Sequence, residues 1–118
     1  MEDRDQYAYG TEKLSCNNSS GLFFRRQNAS FGTVSVGSLS RMKLELCNAT
    51  ENQVKIIIED PKLPFVLLHN EINMQPRSYV RIPIRFVPVV KREFRAELIA
   101  KAENDGLVAK IVITGSSM

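Results

Sequence analysis

Apolar residues occupy every second position in five separate stretches of this 118-residue chain, and this alternation constrains the fold more than any other feature. Within residues 41–47 they fall at Met42, Leu44 and Leu46, the spacing that buries one face of a pleated strand and leaves the other in solvent. The same pattern recurs at residues 54–58, 80–86, 94–100 and 109–113. The sequence therefore predicts five half-buried β-strands, and no stretch has a convincing helical period.

Turn-forming residues separate the predicted strands. Clusters of Asn, Asp, Pro, Gly and Ser lie at residues 48–52, 60–61, 74–78 and 104–106, where Pro presets φ and Gly or Asn reaches positive φ. Short connections of this kind favour antiparallel pairing, and two such sheets packed face to face would bury all the inward residues. We predict an all-β, immunoglobulin-like sandwich of about seven strands in two antiparallel sheets, with further strands near residues 31–36 and 65–68 or 71–74.

The length and an ordinary composition, with 43% hydrophobic and 25% charged residues, suit a single domain. Residues 31–118 are interpreted as the sandwich. Residues 1–30 are interpreted as an N-terminal extension, in which Leu22, Phe23 and Phe24 form one added strand or a plug on the core. The opening MEDRDQYAYG lacks the basic start and apolar run of a secretory signal, so we expect a cytoplasmic chain.

Cysteine and asparagine usage agrees with that location. Cys16 and Cys47 are interpreted as thiols, because small secreted domains usually carry several disulfides, and no disulfide is expected between them. Asn-x-Ser/Thr sequences occur at Asn18, Asn28 and Asn48. They are interpreted as turn-forming residues rather than glycan acceptors, since Asn, Ser and Thr side chains bond their own backbone in turns.

Several segments occur in an order that resembles a known domain family. They are SFGTV (30–34), LELCNAT (44–50), Phe65 followed by INMQP (72–76), IPIRFVP (82–88) and IVITG (111–115). Their order and spacing, rather than any single motif, resemble the ASH domains, which are PapD-like, major-sperm-protein-like immunoglobulin folds of centrosomal and ciliary proteins, and in particular a terminal domain of the Spd-2 family. The resemblance implies a non-enzymatic scaffold or targeting module of the cytoplasm, centrosome and cytoskeleton, with centrosomal or ciliary proteins as partners.

Catalysis and cofactor binding find little support in the residue types present. A catalytic site needs a positioned acid, base or nucleophile, and the single His69 has no partner at motif spacing. One histidine and two distant cysteines also fail to supply the four ligands of a usual zinc site. We expect no catalytic residues, no metal and no cofactor.

Basic residues are concentrated in one part of the chain. Residues 77–95 hold six bases and one acid, a balance of +5, whereas the remaining residues hold ten bases and twelve acids, a balance of −2. Two further bases have the same outward parity on a strand expected to lie beside residues 79–88. The candidate basic residues are Arg41, Lys43, Arg77, Arg81, Arg85, Lys91, Arg92 and Arg95. Such a run is either a solvated face or a binding site for an anionic partner.

Pro83 limits what lies beside this strand. Proline has no N–H, so it occurs in sheets only at edges, strand starts or bulges. The sequence therefore predicts that one side of the strand faces a short, interrupted neighbour or open water.

A second candidate surface is apolar. Ile57, Ile99 and Val112 have outward parity on strands that the family topology would make neighbours. A contiguous apolar cluster with a polar rim often marks a protein contact. These side chains are either a partner site or covered by residues 1–30.

Protein binding is the preferred function. An anionic lipid surface or nucleic acid could use the same basic residues, and this anionic-surface module is the alternative. Single-stranded nucleic acid is disfavoured because Tyr79 is the one nearby aromatic residue expected to face outward for base stacking.

Overall fold

The computed structural model describes residues 21–103 and 106–118, together with the backbone of a three-residue strand at 8–10. These residues form two five-stranded sheets, so the predicted all-β sandwich is confirmed. The strands are β1 (Ala8–Gly10), β2 (Leu22–Phe24), β3 (Asn28–Val34), β4 (Ser40–Asn48), β5 (Val54–Ile58), β6 (Phe65–Leu67), β7 (Glu71–Met74), β8 (Ser78–Phe86), β9 (Glu93–Ala102) and β10 (Val108–Ser117). The strands beyond the expected seven are short, and their three or four residues are too few to show alternation.

The first sheet has the order β1-β8-β4-β2, with β6 also paired to β8, and the second has the order β3-β10-β9-β5-β7. The pairings are antiparallel except that of β3 with β10. This parallel pair arises because the chain leaves the first sheet after β2, crosses at residues 25–27 and enters the second sheet as β3. Every connection from β2 to β9 joins one sheet to the other, and those between β2 and β3 and between β6 and β7 link strands at the edges of the sheets.

The alternating residues form the core as predicted. The inward positions of β4, β5, β8, β9 and β10 are buried or, at Met42, Phe94 and Ala96, packed against the core. Leu22 and Phe24 are also buried, so this short segment is both a strand and part of the core. Burying each large aliphatic side chain contributes on the order of 1.5–3 kcal/mol, which makes this interior the main source of stability.

Four phenylalanine rings meet at the centre of one end of the core. Phe86 lies 5.3 Å from Phe65, 5.4 Å from Phe31 and 5.8 Å from Phe94, measured between ring centroids. These residues come from β3, β6, β8 and β9, so the cluster joins both sheets. Rings at such distances add about 0.5–1.5 kcal/mol per pair beyond simple burial.

The side of β8 that faces away from β4 is paired with two short strands. β1 pairs with residues 79–81 and β6 pairs with residues 84–86. Pro83 lies in the interval between them, where the described residues form no strand pairing on this side. The predicted interrupted neighbour is therefore confirmed, because a residue without an N–H is tolerated where no strand needs its hydrogen bond.

Cys47 has outward parity on β4 and is nevertheless buried. It follows the inward Leu46 and lies opposite Tyr79 and Phe23 in the sheet, yet it is 0% exposed. Strand parity assigns a side chain to one face of the sheet. It does not predict whether other residues cover that face. Pro83 is buried on the outward face in the same way. Cys16 lies outside the described residues.

Asn48 joins the loops at the end of the sandwich where β4 stops. Its Nδ2 donates to the backbone oxygens of Asn52 and Gln75, both at 2.9 Å. Its Oδ1 accepts from the backbone N–H and the hydroxyl of Thr50, at 3.1 and 2.7 Å. The side chain is fully buried, so the turn-forming interpretation is confirmed here.

The other two Asn-x-Ser/Thr positions differ from Asn48. Asn28 is the first residue of β3 and is exposed, so the turn interpretation was wrong at this position. Asn18 lies outside the described residues.

Candidate partner-binding surfaces

The outer face of the first sheet carries part of the predicted basic patch. β4 and β8 are neighbours as expected, and their register places Arg41 opposite Arg85, Lys43 opposite Pro83 and Glu45 opposite Arg81. The structure therefore brings together four of the candidate bases. We call Arg41, Lys43, Arg81 and Arg85 the basic face; the first three are exposed and Arg85 is half-buried.

Glu45 neutralises one end of the basic face. Its carboxylate forms an ion pair with Arg81, at 3.2 Å from Nε, and another with Arg25. Both guanidinium groups also lie near the ring of Tyr79, at 5.4 Å for Arg81 and 5.8 Å for Arg25. Glu45 therefore offsets part of the positive charge at the Arg81 end of the two strands.

Glu45 and Arg25 were not among the predicted residues of this site. The outward parity of Glu45, two residues after Lys43, was a sufficient signal for its presence on the same face. Arg25 gave no comparable signal, because it follows a three-residue strand just before the chain changes sheets. Exposed ion pairs of this kind usually contribute about 0–1 kcal/mol, so their main effect is on the distribution of charge.

The remaining candidate bases lie elsewhere. Arg77 is in the turn between β7 and β8 and pairs with Glu51. Lys91 and Arg92 are in the loop between β8 and β9, where Arg92 lies 5.4 Å from the ring of Phe94. Arg95 is exposed on β9, in the second sheet, opposite Thr114. The charge run at residues 77–95 is thus spread over two sheets and both ends of the sandwich.

The predicted apolar patch crosses the second sheet diagonally. β5, β9 and β10 are adjacent, and Ile57, Ile99 and Val112 are all half-buried on the outer face. In the register, Lys101 lies opposite Ile57, Lys110 opposite Ile99, and Glu97 opposite Val112. Each apolar residue therefore has a charged direct neighbour and an apolar diagonal neighbour. We call Ile57, Ile99 and Val112 the apolar diagonal.

Across residues 21–103 and 106–118, no group of three or more His, Cys, Asp or Glu side chains could hold a metal ion. The same part of the chain contains no helix with the length and hydrophobicity needed to cross a bilayer. His69 is half-buried in the turn between β6 and β7.

A protein-family model covers most of the chain. The family model described as Cep192 domain 8 matches residues 17–118. The chain belongs to the Cep192 domain 8 family. No curated protein sequence was found to match it.

Solved structures agree with the Cep192 assignment at the level of the fold. The ASH / PapD-like domain of human CEP192 (PapD-like domain 7) is 14% identical, with 92% of this chain and 96% of that chain covered and a TM-score of 0.70. WR4, a C. elegans MSP family member, is 7% identical, with 84% and 99% covered and a TM-score of 0.58. The predicted ASH, PapD-like and major-sperm-protein-like fold is therefore confirmed.

A more distant likeness involves an enzyme. VesB protease of Vibrio cholerae is 17% identical, with 81% of this chain but 32% of that chain covered and a TM-score of 0.58. At this identity the likeness concerns the fold alone.

The Cep192 domain 8 match begins at residue 17, so it includes β2 and β3. Both strands belong to the sheets of the sandwich. The division of the chain into an extension and a sandwich at residue 30 stays a prediction.

Proposed function

We propose that this Cep192-family domain is a non-enzymatic protein-interaction module of a centrosomal scaffold, and that it binds an acidic protein segment through the basic face. The family assignment supports the scaffold role and a cytoplasmic, centrosomal location. One observation carries the choice of surface: Arg41 lies directly opposite Arg85 on the neighbouring strand, with Lys43 two residues further along β4.

This arrangement of bases would suit an anionic partner. Like charges directly opposite one another on adjacent strands destabilise a sheet. Carboxylates placed over Arg41 and Arg85 would be attracted to both guanidinium groups. Complementary charges of this kind also raise the association rate and disfavour partners of the wrong sign.

Single-stranded nucleic acid suits the surface less well. Base stacking needs an exposed aromatic face. The ring of Tyr79 is half-buried and already lies near the guanidinium groups of Arg25 and Arg81. An acidic protein segment needs only positive charge and hydrogen-bond donors from its binding site. The side chains of the basic face supply both.

A double charge reversal tests the proposal. Arg41→Glu with Lys43→Glu changes two exposed side chains, and Arg95→Glu with Lys110→Glu is the matched control on the second sheet. We expect the first variant to lower centrosome enrichment of a fluorescent fusion, and recovery of centrosomal proteins with it, by about tenfold, which corresponds to about 1.4 kcal/mol. The control variant should behave like the wild type, and both should unfold near the wild-type temperature.

Two results would change the proposed binding site or the proposed class of partner. If the Arg41/Lys43 variant keeps full enrichment, the basic face is not the partner site. If enrichment is kept while low-salt binding to phosphatidylserine vesicles or duplex DNA is lost, the basic face serves an anionic surface instead. An Ile99→Glu variant would then test the apolar diagonal as the protein site.

A further inference from the structure

The direction of β1 points the residues that precede it toward the basic face. β1 runs antiparallel to β8, with Gly10 opposite Tyr79 and Ala8 opposite Arg81. Following β1 backwards along the chain therefore moves along β8 past Arg81 and toward the C-terminal end of that strand. Residues 1–7 lie outside the described residues, and the register of β1 sets the place from which they start.

β6 closes the same side of β8 a short distance further on. It pairs with residues 84–86, so Ile82 and Pro83 are the two residues of β8 between the short strands on this side. The core fills the inner side of the sheet at this level, where Ile82 and Ile84 are fully buried. A chain that leaves the sheet here is therefore directed to solvent or to the outer side, which carries the basic face.

The sequence before β1 is acidic. Residues 1–5 read MEDRD and hold three acids and one base, a balance of −2. Gln6 and Tyr7, which follow them, carry no charge at neutral pH. We call residues 1–5 the acidic segment.

The outer face of the first sheet has the opposite sign. The outward positions of β4 and β8 hold the four bases of the basic face and one acid, Glu45, a balance of +3. The outward residues of β2 and β6 are Phe23 and Val66, which add no charge. Arg25, just after β2, pairs with Glu45. The acidic segment and the basic face are therefore complementary in charge.

The acidic segment is long enough to reach the bases farthest from β1. Arg85 lies four residues beyond Arg81 on β8, which is about 13 Å at the rise of a strand. Arg41 lies opposite Arg85 on β4, about 5 Å further across the sheet. An extended chain covers about 3.3 Å per residue, so Glu2 can lie up to about 20 Å from Ala8. Both guanidinium groups are within that reach.

We propose that the acidic segment docks on the basic face of its own chain and competes there with the acidic protein partner. Tethering gives the segment an effective concentration on the order of mM, so a weak attraction is sufficient. A segment from a second copy is present only at its concentration in solution, which favours docking within one chain. The competition, which rests on the function proposed above, lowers the apparent affinity for the partner in proportion to the fraction of chains whose basic face is open.

Zero-length cross-linking tests the docking in the full chain. A carbodiimide joins a carboxylate to an amine when the two are in contact, and Lys43 supplies the amine of the basic face. We expect amide links from the acidic segment to Lys43, and not to Lys110, which is exposed on the second sheet. The yield should fall as salt is added, because exposed charges are screened. A mixture of isotope-labelled and unlabelled chains shows whether a link joins residues of one copy or of two.

Neutralising the acidic segment tests the competition. The neutral variant removes its three carboxylates by Glu2→Gln, Asp3→Asn and Asp5→Asn. The control variant makes the same change of charge at exposed positions of the second sheet, by Glu71→Gln, Glu93→Gln and Glu97→Gln. The probe is a fluorescent hexaglutamate peptide at physiological salt, where charges more than about 8 Å apart are largely screened. We expect the neutral variant to bind it about threefold more tightly than the wild type, as for a basic face open in about one third of wild-type chains. The control variant should gain much less.

Three outcomes would overturn the proposal. They are links to Lys43 no more frequent than links to Lys110, links to Lys43 that join two copies, and a neutral variant that binds hexaglutamate no more tightly than the control variant. Failure of the proposed function gives a different result. If the links and the affinity gain are found while the Arg41→Glu/Lys43→Glu variant keeps full centrosome enrichment, the docking stands and the basic face is not the partner site. If that variant loses enrichment and the wild type forms no links to Lys43, the partner site stands and the docking is wrong.

Discussion

The ring of Phe86 lies directly against Gly115. A Cβ built at Gly115 would come within 2.7 Å of Phe86 Cε2 and 2.8 Å of Cζ, closer than van der Waals contact allows. Gly115 is buried near the end of β10, and Phe86 is the last residue of β8, in the other sheet. The two sheets therefore approach one another closely because one of the facing residues has no side chain.

Gly115→Ala should destabilise the domain. The added methyl would force the ring of Phe86 out of its place among Phe31, Phe65 and Phe94, a form of overpacking that costs about 1–3 kcal/mol. Urea unfolding measures the loss. Combining Gly115→Ala with Phe86→Leu should cost less than the sum of the two single changes, since the smaller side chain makes room. Strict additivity would show that the two residues do not compete for space.

Asn48→Ala should loosen the end of the sandwich where β4 stops. The change removes the amide that bonds the oxygens of Asn52 and Gln75, and buried groups left without partners cost about 1–3 kcal/mol. Thermal unfolding and amide exchange measure the effect, and the N–H of Arg77, which donates to Thr50 at 3.1 Å, should exchange faster. Asn28→Ala is the exposed control and should shift stability by less than about 0.5 kcal/mol.

Neighbouring positions on β9 should respond oppositely to the same substitution. Leu98 is fully buried and Ile99 is half-buried on the outer face. Leu98→Glu places a carboxylate in the core and should prevent folding, because burying an unpaired charge costs several kcal/mol. Ile99→Glu should leave a folded domain by circular dichroism. Equal loss of structure in both variants would contradict the assignment of faces.

Glu45→Gln should strengthen attraction to an acidic partner with little effect on stability. It removes the carboxylate that pairs with Arg25 and Arg81, and exposed pairs contribute about 0–1 kcal/mol. The basic face gains one positive charge, so we expect a higher association rate at low salt that falls as salt is added. Stopped-flow binding measures this rate, and Glu97→Gln on the second sheet is the control. A rate change of equal size in both variants would indicate an effect of net charge alone.

The alternation of apolar and polar residues predicted the longer strands correctly. The five predicted strands all exist, and their inward residues form the core, because alternation sustained over five or more residues assigns one face of the strand to the interior. Pro83 also predicted its surroundings correctly, since a missing N–H limits what can pair beside it. Short strands such as β2 and β6 were less visible, because three residues do not establish a period.

The candidate surfaces could be predicted only in part. Parity placed Arg41, Lys43, Arg81 and Arg85 on one face, but closeness along the chain wrongly grouped Arg95 with them. The exposure of Val36, Leu63 and Val89 was not anticipated, because these side chains lie in loops that are far apart in sequence and follow no period. Backbone contacts such as that between Gly37 and Pro88 bring those loops together.

The order of apolar and polar residues was enough to establish a β-sandwich, its main strands and the face on which each strand side chain lies, because these are local consequences of pleating and burial. The tertiary fold was needed to show that Arg41 faces Arg85, that Cys47 is covered and that Leu63 lies beside the β8–β9 loop. Those relationships depend on which strands become neighbours and on how each loop closes. They are properties of contacts between distant segments, which no local pattern records.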